Sequence, residues 1–286
     1  MRLPLRLAPF AGDVLILALT LGAIFAFKGN PQESLDSLQA PVVFWKDSNQ
    51  LWLMGQAVHS GVSPYKPLPE LASAFLPQAR FADHPTPYPP AIALIGALVA
   101  PLPYLGFARF WFWGQVLCLA LSLTLLARRV SGGFDPLVIA SVLTLGLSTG
   151  IATDELRLGQ FTAMLLLILT VASLLLSRGL EKSAGFLVGL MIALKVFAWP
   201  IALVFALRRR FRAALVAFVT AAALNLACLS FLSLPELVDY YTRIGPLNAG
   251  YWRGAEGNLS AWTVSGRLFS GFGFGLHVDP LWPNPR

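Results

Sequence analysis

Long blocks of apolar residues, separated by short polar stretches, occupy most of the chain. A helix needs about 20 mostly apolar residues to cross the hydrocarbon core of a bilayer. The blocks predict helices at residues 11–27, 107–127, 136–149, 161–176, 184–194, 198–207 and 213–232. Two of them, 184–194 and 198–207, are short, so we expect them to tilt or to form one broken pair. The pattern predicts an all-α polytopic membrane protein with about seven transmembrane helices.

The longest polar interruption, residues 28–88, follows the first block. A connection of this length is usually functional. Within it, residues 43–65 (VFWKDSNQLWLMGQAVHSGVSPY) begin a short amphipathic pattern at Asp47 and end in Gly-Val-Ser-Pro-Tyr, a turn signature. This stretch is too polar to cross a membrane, so we expect it to form interfacial structure.

A shorter apolar run follows Pro89-Pro90, and its length of about fourteen residues suits an interfacial or re-entrant helix. If this run does not cross, Arg128-Arg129, Arg178 and the cluster at 208–212 all fall on the cytoplasmic side, as the positive-inside rule expects. If it crosses, Arg128-Arg129 and Arg178 fall outside. We prefer the first arrangement, which places the polar loop, residues 149–160, Lys195 and the tail on the outer face.

This topology predicts one module over residues 1–286. It consists of a first span (1–28), an outer loop with interfacial helices (29–105), a helical bundle (106–232) and an outer tail (233–286). The predicted location is the plasma (inner) membrane, with the functional face outside the cytoplasm.

Composition agrees with a membrane location, since 56% of the residues are hydrophobic and only 12% are charged. Soluble domains carry about 25% charged residues. The net charge of +7 comes largely from the basic turns between the apolar blocks. No basic face with interleaved aromatic residues occurs, so nucleic acid is not an expected partner. Cys118 and Cys228 lie within apolar blocks and suggest neither a disulfide framework nor a metal site.

Asp47 has two compatible interpretations. The sequence Asp47-Ser-Asn-Gln50 fits a capping box, in which the acid caps a helix and the glutamine reaches back to it. Alternatively, Asp47 is a general base, because a carboxylate on a loop against the membrane is partly desolvated and therefore more basic than in water.

Two further polar groups interrupt the apolar blocks on the same face. Asp154, Glu155 and Arg157 precede Gly159-Gln160 at a helix start, where free N–H groups can bind an anion. They are either solvated surface or part of a site. Lys195 lies in the apolar stretch MIALKVFAW, where a lysine is costly. It either snorkels to an interface or pairs with an anion, and we favour the phosphate of a lipid-linked ligand.

No sequence motif requires a cofactor. His59, His84 and His277 lack metal-ligand spacing, and no nucleotide-binding or hydrolase motif is present. Because carboxylates near a phosphate can bind a divalent cation, a requirement for such a cation stays an open alternative.

A series of short motifs follows Asp47 in a fixed order along most of the chain. They are Gly61-Val-Ser-Pro-Tyr65, Tyr88-Pro-Pro90, Leu158-Gly-Gln-Phe161, the stretch 184–195 with Pro200 behind it, and Gly257-Asn-Leu-Ser260. In this order and topology the chain resembles glycosyltransferase family 87, the membrane mannosyl- and arabinosyltransferases of the GT-C fold. Members of this family are generally longer, so the resemblance implies a C-terminally short chain.

The resemblance implies inverting transfer of a sugar, with mannose the first choice, from a polyprenyl-phosphate donor. The acceptor hydroxyl belongs to a lipid, a glycan or an envelope polysaccharide. Asp47 maps onto the general base of the family. The implied substrate-binding residues are Lys195, Arg157, Gln160, Asp154, Tyr65, Tyr88 and Asn258, and Trp252 is a further aromatic candidate.

Two other classes of protein fit part of the pattern. A transporter or flippase-like protein that binds a lipid-linked anion without chemistry explains Lys195 and the short helices, but it explains the long loop with Asp47 less well. A structural membrane subunit explains the apolar blocks but not the ionisable groups collected on one face.

Overall fold

The computed structural model describes residues 47–79, 81, 86–147 and 149–253, with the backbone alone at 251–253. These residues are helical and contain no strand, which confirms the predicted all-α class. The first predicted span, residues 11–27, lies outside the described residues, as does the tail from residue 254.

Twelve α-helices follow one another in the described part of the chain. The first three helices are α1 (Asp47–His59), α2 (Leu68–Phe75) and α3 (Pro90–Val99). The helices of the bundle are α4 (Tyr104–Ser131), α5 (Pro136–Leu147), α6 (Gly150–Leu158), α7 (Thr162–Ser177), α8 (Glu181–Leu194), α9 (Trp199–Leu207) and α10 (Phe211–Ala227). The last two are α11 (Leu234–Asp239) and α12 (Gly245–Arg253), joined by a π-helical turn at Tyr240–Ile244.

Two helical segments in the described residues are long and apolar enough to cross a membrane. They are Tyr104–Ser131, with 28 residues, and Phe211–Ser230, with 20 residues. The bent pair α5 and α6, which meet at 62°, forms a third span if the two are counted together. The predicted block 136–149 therefore ends at a bend, and the predicted count of about seven spans stays a prediction.

The apolar run after Pro89-Pro90 forms the short helix α3. With 10 residues, it is about 15 Å long, roughly half the thickness of a bilayer core. Pro90 is tolerated because a proline at the first helical position removes an N–H that has no partner within the helix.

Two glycines allow α1 to lie directly on α3. A Cβ atom at Gly55 would be 2.1 Å from the carbonyl oxygen of Gly96, and one at Gly96 would be 2.6 Å from the carbonyl oxygen of Leu51. Small residues at such crossings let two helix backbones meet. The contact thus depends on the absence of side chains at both positions.

Side chains of α1 also satisfy the carbonyl groups at the end of α3. Trp52 Nε1 donates to the oxygen of Leu102 at 3.1 Å, Gln56 Nε2 to that of Ala100 at 2.6 Å, and His59 Nε2 to that of Ala97 at 2.8 Å. The last carbonyls of a helix have no partner within it. The side chains of α1 therefore fix α1 against the C-terminal end of α3.

The central pair of the bundle, α8 and α10, uses the same device. A Cβ at Gly185 would be 2.4 Å from the oxygen of Ala213, and one at Gly189 would be 2.4 Å from that of Ala217. One buried apolar cluster continues from α1, α2 and α3 through α7 and α8 to α10. This shared core fixes α1, α2 and α3, and with them Asp47, relative to the break after α8.

Candidate active site

A cavity of about 950 Å³ lies where α1 and the segment before α3 meet the bundle and the α11–α12 region. Its wall contains the start of α1, the segment 87–89, the approach to α7, the break after α8 and the turn before α12. The side chains that bring polar chemistry to it are Asp47, Gln50, Tyr88, Gln160, Lys195 and Asn248.

Asp47 is the first residue of α1, where the helix dipole favours a negative charge. Burial raises the pKa of Asp47 above its ordinary value, and the positive charge of Lys195 and the hydroxyl of Tyr88 oppose that rise. Gln50, the other end of the predicted capping box, accepts a hydrogen bond from the Thr86 hydroxyl at 3.1 Å. The carboxyl group is thus held at the cavity in an environment that makes it more basic than in water.

Lys195 interrupts the helical path between α8 and α9. Its backbone is extended (φ −143°, ψ 100°), and it precedes a short 3₁₀ turn at Val196–Ala198. The ammonium group lies 4.6 Å from the centre of the Tyr88 ring, a cation–π distance. Its charge also interacts with Asp47. The predicted cation therefore faces the cavity.

The segment from Thr86 to Pro89 is held by hydroxyl groups from separate elements. Tyr65 donates to the carbonyl of Tyr88 at 3.0 Å, and Tyr240 donates to the carbonyl of Pro87 at 3.0 Å. The prolines at 87 and 89 have no backbone N–H to donate. The buried carbonyls of this segment accept from side-chain hydroxyls. These bonds fix Tyr88 between Asp47 and Lys195.

Tyr88 is 2% exposed and packs edge-on against Phe161, with ring centres 5.4 Å apart. Burial, and then the negative charge of Asp47, raise the pKa of Tyr88 well above its ordinary value. The hydroxyl has no hydrogen-bond partner of ordinary geometry, although it lies close enough to Asp47 for each group to affect the pKa of the other. Tyr88 is therefore a neutral hydrogen-bond donor beside the carboxylate.

The π-helical turn supplies an aromatic wall opposite α1. The ring centre of Tyr240 lies 5.2 Å from that of Tyr65, and the Tyr241 hydroxyl donates to Asn225 Oδ1 at 2.6 Å. Single π-turns are frequent at functional sites because the extra residue redirects side chains. Here the turn brings both tyrosines to the cavity.

The approach to α7 contains the residues of the predicted anion site, which stays a prediction. Gly159 has a positive φ of 65° and ends α6, and its carbonyl accepts a hydrogen bond from Trp111 Nε1 at 2.8 Å. The N-terminus of α7 has no side-chain cap, so its first N–H groups remain available to a ligand. Gln160 lies between this N-terminus and the cavity.

The structure brings together some of the predicted residues and not others. Asp47, Tyr88, Gln160 and Lys195 line the cavity. Tyr65 lies behind its wall, bonded to the segment that carries Tyr88. Asp154 and Arg157 are exposed on α6 and do not line the cavity, so their substrate contacts stay predictions. The side chain of Trp252 and all of Asn258 lie outside the described residues.

Sequence reasoning did not assign a substrate-binding role to several residues that the structure places at or beside the site. They are Gln50, Tyr240, Tyr241, Asn248 and, beyond Gln160, Glu155. The adjacent tyrosines in a polar stretch before Gly245 were the available signal. Nothing in the sequence indicated that this stretch returns to residue 87.

These features define a class: an all-helical membrane protein with a partly buried acid–lysine pair in a large cavity. The family model for glycosyltransferase family 87 matches residues 86–284, more than half of the 286 residues, so the chain belongs to that family and is a glycosyltransferase. The resemblance found from the motifs is thereby confirmed. Searches of curated proteins and of solved structures returned no match.

The family match begins at residue 86 and therefore contains Tyr88, Gln160, Lys195 and Asn258. Asp47 and Tyr65 precede it. Their connection to the site comes from the structure, in which Asp47 lines the same cavity as Lys195 and Tyr65 supports Tyr88.

Proposed function

We propose that this glycosyltransferase moves a sugar, with mannose the first choice, from a polyprenyl-phosphate donor to a hydroxyl group of an envelope lipid or glycan. The observation that carries the proposal is the pairing of Asp47 with Lys195 in one cavity, on either side of Tyr88. The carboxylate is a base for the acceptor hydroxyl, and the ammonium group is a partner for a phosphate.

The reaction proceeds by a single displacement. The acceptor oxygen attacks the anomeric carbon while its proton passes to Asp47, and the bond from that carbon to the phosphate oxygen breaks. Attack from the face opposite the leaving group inverts the anomeric configuration. Lys195 stabilises the charge that accumulates on the departing phosphate, and such preorganised charges are worth most where water is excluded.

The remaining cavity groups suit a sugar. Gln50, Gln160 and Asn248 bring amide groups that pair with hydroxyls, and Tyr240 and Tyr241 bring ring faces and edges. Its volume of about 950 Å³ is at the upper end of the roughly 300–1,000 Å³ that is common for ligand sites. Room therefore exists for a sugar phosphate together with part of an acceptor.

The experiment that tests the function uses the 286-residue protein in proteoliposomes with polyprenyl-phosphate mannose, arabinose or glucose and a lipid extract as acceptor. We expect transfer from one donor, with inverted configuration in the product and release of polyprenyl phosphate. An arm with EDTA reports any need for a divalent cation. Donor binding without release of polyprenyl phosphate would instead support the binding-only, flippase-like alternative.

The proposed topology has about seven spans, with the cavity on the extracytoplasmic face, and it is tested at the end of α4. Ser131 is exposed at this end, two residues after Arg129. In a variant with Cys118 and Cys228 replaced by alanine, we expect Ser131→Cys to react with an impermeant maleimide only after the membrane is opened. The cysteine-free variant is the control. Labelling of intact cells from outside would reverse the proposed orientation.

Lys195→Met is expected to weaken donor binding about 10- to 100-fold, since a charge-assisted hydrogen bond is worth roughly 1.5–3 kcal/mol. It should also move the acid limb of the kcat/KM profile to higher pH. A general base works only when deprotonated, and Lys195 lowers the pKa of Asp47, so removing its charge raises the pH at which transfer begins.

The matched control for this variant is Lys182→Met, which removes an exposed lysine from α8. Lys195→Arg should keep the position of the acid limb. An unchanged profile and an unchanged donor KM in Lys195→Met would exclude Lys195 from the phosphate site.

A further inference from the structure

A second, smaller cavity of about 150 Å³ lies between α4, α6 and α7. Gln160 lines both this cavity and the larger one, so its side chain stands at the wall between them. Most of the small cavity is apolar. Its polar groups come from Gln115, Glu155, Gln160 and the threonines at 149 and 162. We name it the relay chamber.

Two buried acceptor atoms in the relay chamber lack hydrogen-bond partners. They are Oε1 of Gln115, a residue that is only 4% exposed, and Oε2 of Glu155. An unpartnered buried acceptor costs about 1–3 kcal/mol. As they are placed, neither atom receives a hydrogen bond from the described protein atoms, so a donor inside the chamber would satisfy both.

Water meets this requirement. The share of liquid volume per water molecule is about 30 Å³, and a buried water needs two to four polar partners. A chamber of about 150 Å³ has room for a few water molecules, and Gln115, Glu155, Gln160 and Thr162 offer the partners. A short water chain therefore fits between Glu155 and the wall at Gln160.

Glu155 is electrostatically connected to the site across that wall. Its carboxylate interacts with Asp47 at the start of α1 and with Lys195 at the break after α8, and Thr162 of α7 lines the same chamber beside it. Tyr88 and the neighbouring Asp154 are the other titratable groups that it senses. The two acids, Asp47 and Glu155, thus belong to one electrostatic network although they face different cavities.

We propose that the relay chamber carries away the proton that Asp47 takes from the acceptor hydroxyl, with Glu155 as the positioning residue that receives it. This inference rests on the proposed function. After transfer, protonated Asp47 gives its proton to a water molecule beside Gln160, and a proton moves from the water chain to the Glu155 carboxylate. Glu155 then releases a proton to bulk water, so no electrons are exchanged and both carboxylates are restored.

The relay is useful because the donor and the acceptor fill the larger cavity during the reaction, which closes the direct route from Asp47 to bulk water. The relay chamber reaches the surface elsewhere, where the polar residue Thr149 on its rim is exposed, as is the neighbouring Asp154.

The test is Glu155→Gln, which keeps the shape and the hydrogen-bonding capacity of the side chain but cannot accept the proton. We expect kcat to fall about tenfold, less than the 10²–10⁴-fold contribution of the base itself, with the donor KM unchanged. We also expect a larger solvent deuterium isotope effect on kcat and partial recovery in added formate, a small proton acceptor. A purely structural role for Glu155 would give neither of the last two results.

Glu70→Gln, at an exposed carboxylate on α2, is the matched control and should behave as the wild type. An unchanged kcat and isotope effect in Glu155→Gln would overturn the relay. So would a loss of kcat that formate does not restore.

A second readout does not depend on turnover. Infrared titration should show a carboxyl band that is lost in Glu155→Gln, exchanges within seconds in D₂O and changes its midpoint in Asp47→Asn. Slow exchange in D₂O would overturn the relay. An infrared midpoint that is the same in the wild type and in Asp47→Asn would also overturn it. A wild type that transfers no sugar from any polyprenyl-phosphate donor, while the infrared midpoint of Glu155 still depends on Asp47, would contradict the proposed function. That result would nevertheless support a hydrated chamber that connects the two acids.

Discussion

Replacing Asp47 with asparagine is expected to lower sugar transfer by about 10²–10⁴-fold, the usual contribution of a positioned general base. Asparagine has nearly the same shape and still fits the start of α1, but it cannot accept the proton of the acceptor hydroxyl. Lys195, Gln160 and the N-terminus of α7 are unchanged, so the donor phosphate keeps its proposed partners. The loss should therefore appear in kcat, with little change in the affinity for the donor.

Single-turnover transfer from labelled donor, measured beside equilibrium binding of that donor, separates the two quantities. Asp135→Asn is a suitable control, because Asp135 is an exposed residue whose side-chain oxygen accepts from the N–H groups of Leu137 and Val138, a cap that asparagine preserves. Wild-type turnover in Asp47→Asn would eliminate Asp47 as the base. Loss of binding together with turnover would give it a structural role instead.

Replacing Gly96 with alanine is expected to damage both the packing of α1 on α3 and the activity. The new methyl group would lie 2.6 Å from the carbonyl oxygen of Leu51 and 2.9 Å from the amide nitrogen of Gly55. Both atoms belong to the backbone of α1 and cannot rotate away, so α1 and α3 must separate. Overpacking of this kind usually costs about 1–3 kcal/mol of the free energy of unfolding.

The effect on activity should exceed the effect on stability, because separating the helices moves Asp47. A displacement of about 1 Å at a reacting group costs roughly 100-fold in rate. The hydrogen bonds from Trp52, Gln56 and His59 to the end of α3 would lengthen at the same time. We therefore expect a lower melting temperature in detergent and a loss of transfer of about 100-fold.

Gly106→Ala is the control for this substitution. A Cβ at Gly106, in the first turns of α4, meets only Pro103 Cδ at 3.9 Å, an ordinary contact. Its melting temperature should equal or slightly exceed that of the wild type, because alanine favours a helix over glycine. A Gly96→Ala protein with wild-type melting and transfer would show that the α1–α3 contact does not hold the base in place.

The helical class and part of the site could be predicted from the sequence, because both follow from local patterns of residues. Apolar blocks define helices, and a short block after Pro89-Pro90 correctly predicted a helix too short to span, α3. Lys195 stood out as a charge in an apolar stretch, and Asp47 and Gln160 as polar groups at predicted helix starts. Tyr88 came from a motif of the family resemblance, and all four residues line one cavity.

The choice between neighbouring acids on α6 was not readable in this way. Successive residues of an α-helix point about 100° apart, while residues three apart share a face. Asp154 and Arg157 therefore share an exposed face, and Glu155 turns into the relay chamber. Which face meets the site depends on the 62° bend between α5 and α6, and a bend angle is a property of tertiary packing.

The aromatic wall formed by Tyr240 and Tyr241 could not be predicted from the sequence for a different reason. Tyr240 and Pro87 are separated by 153 positions in the chain, and one sequence carries no signal for a contact over such a distance. The glycine crossing of α1 and α3 is similar, because a glycine in a helix is as compatible with a lipid-facing position as with a contact.

The hydrogen bond from Tyr240 to Pro87 also sets an order of events during synthesis. Ribosomes add about 5–20 residues per second, so the 153 positions between the two residues take roughly 8–30 s to make. Throughout that interval, the segment that carries Tyr88 has been made but lacks the partner that holds Pro87. The proposed catalytic cavity is thus completed last, by the arrival of the π-helical turn and α12, and the nascent chain passes through insertion before it acquires a complete site.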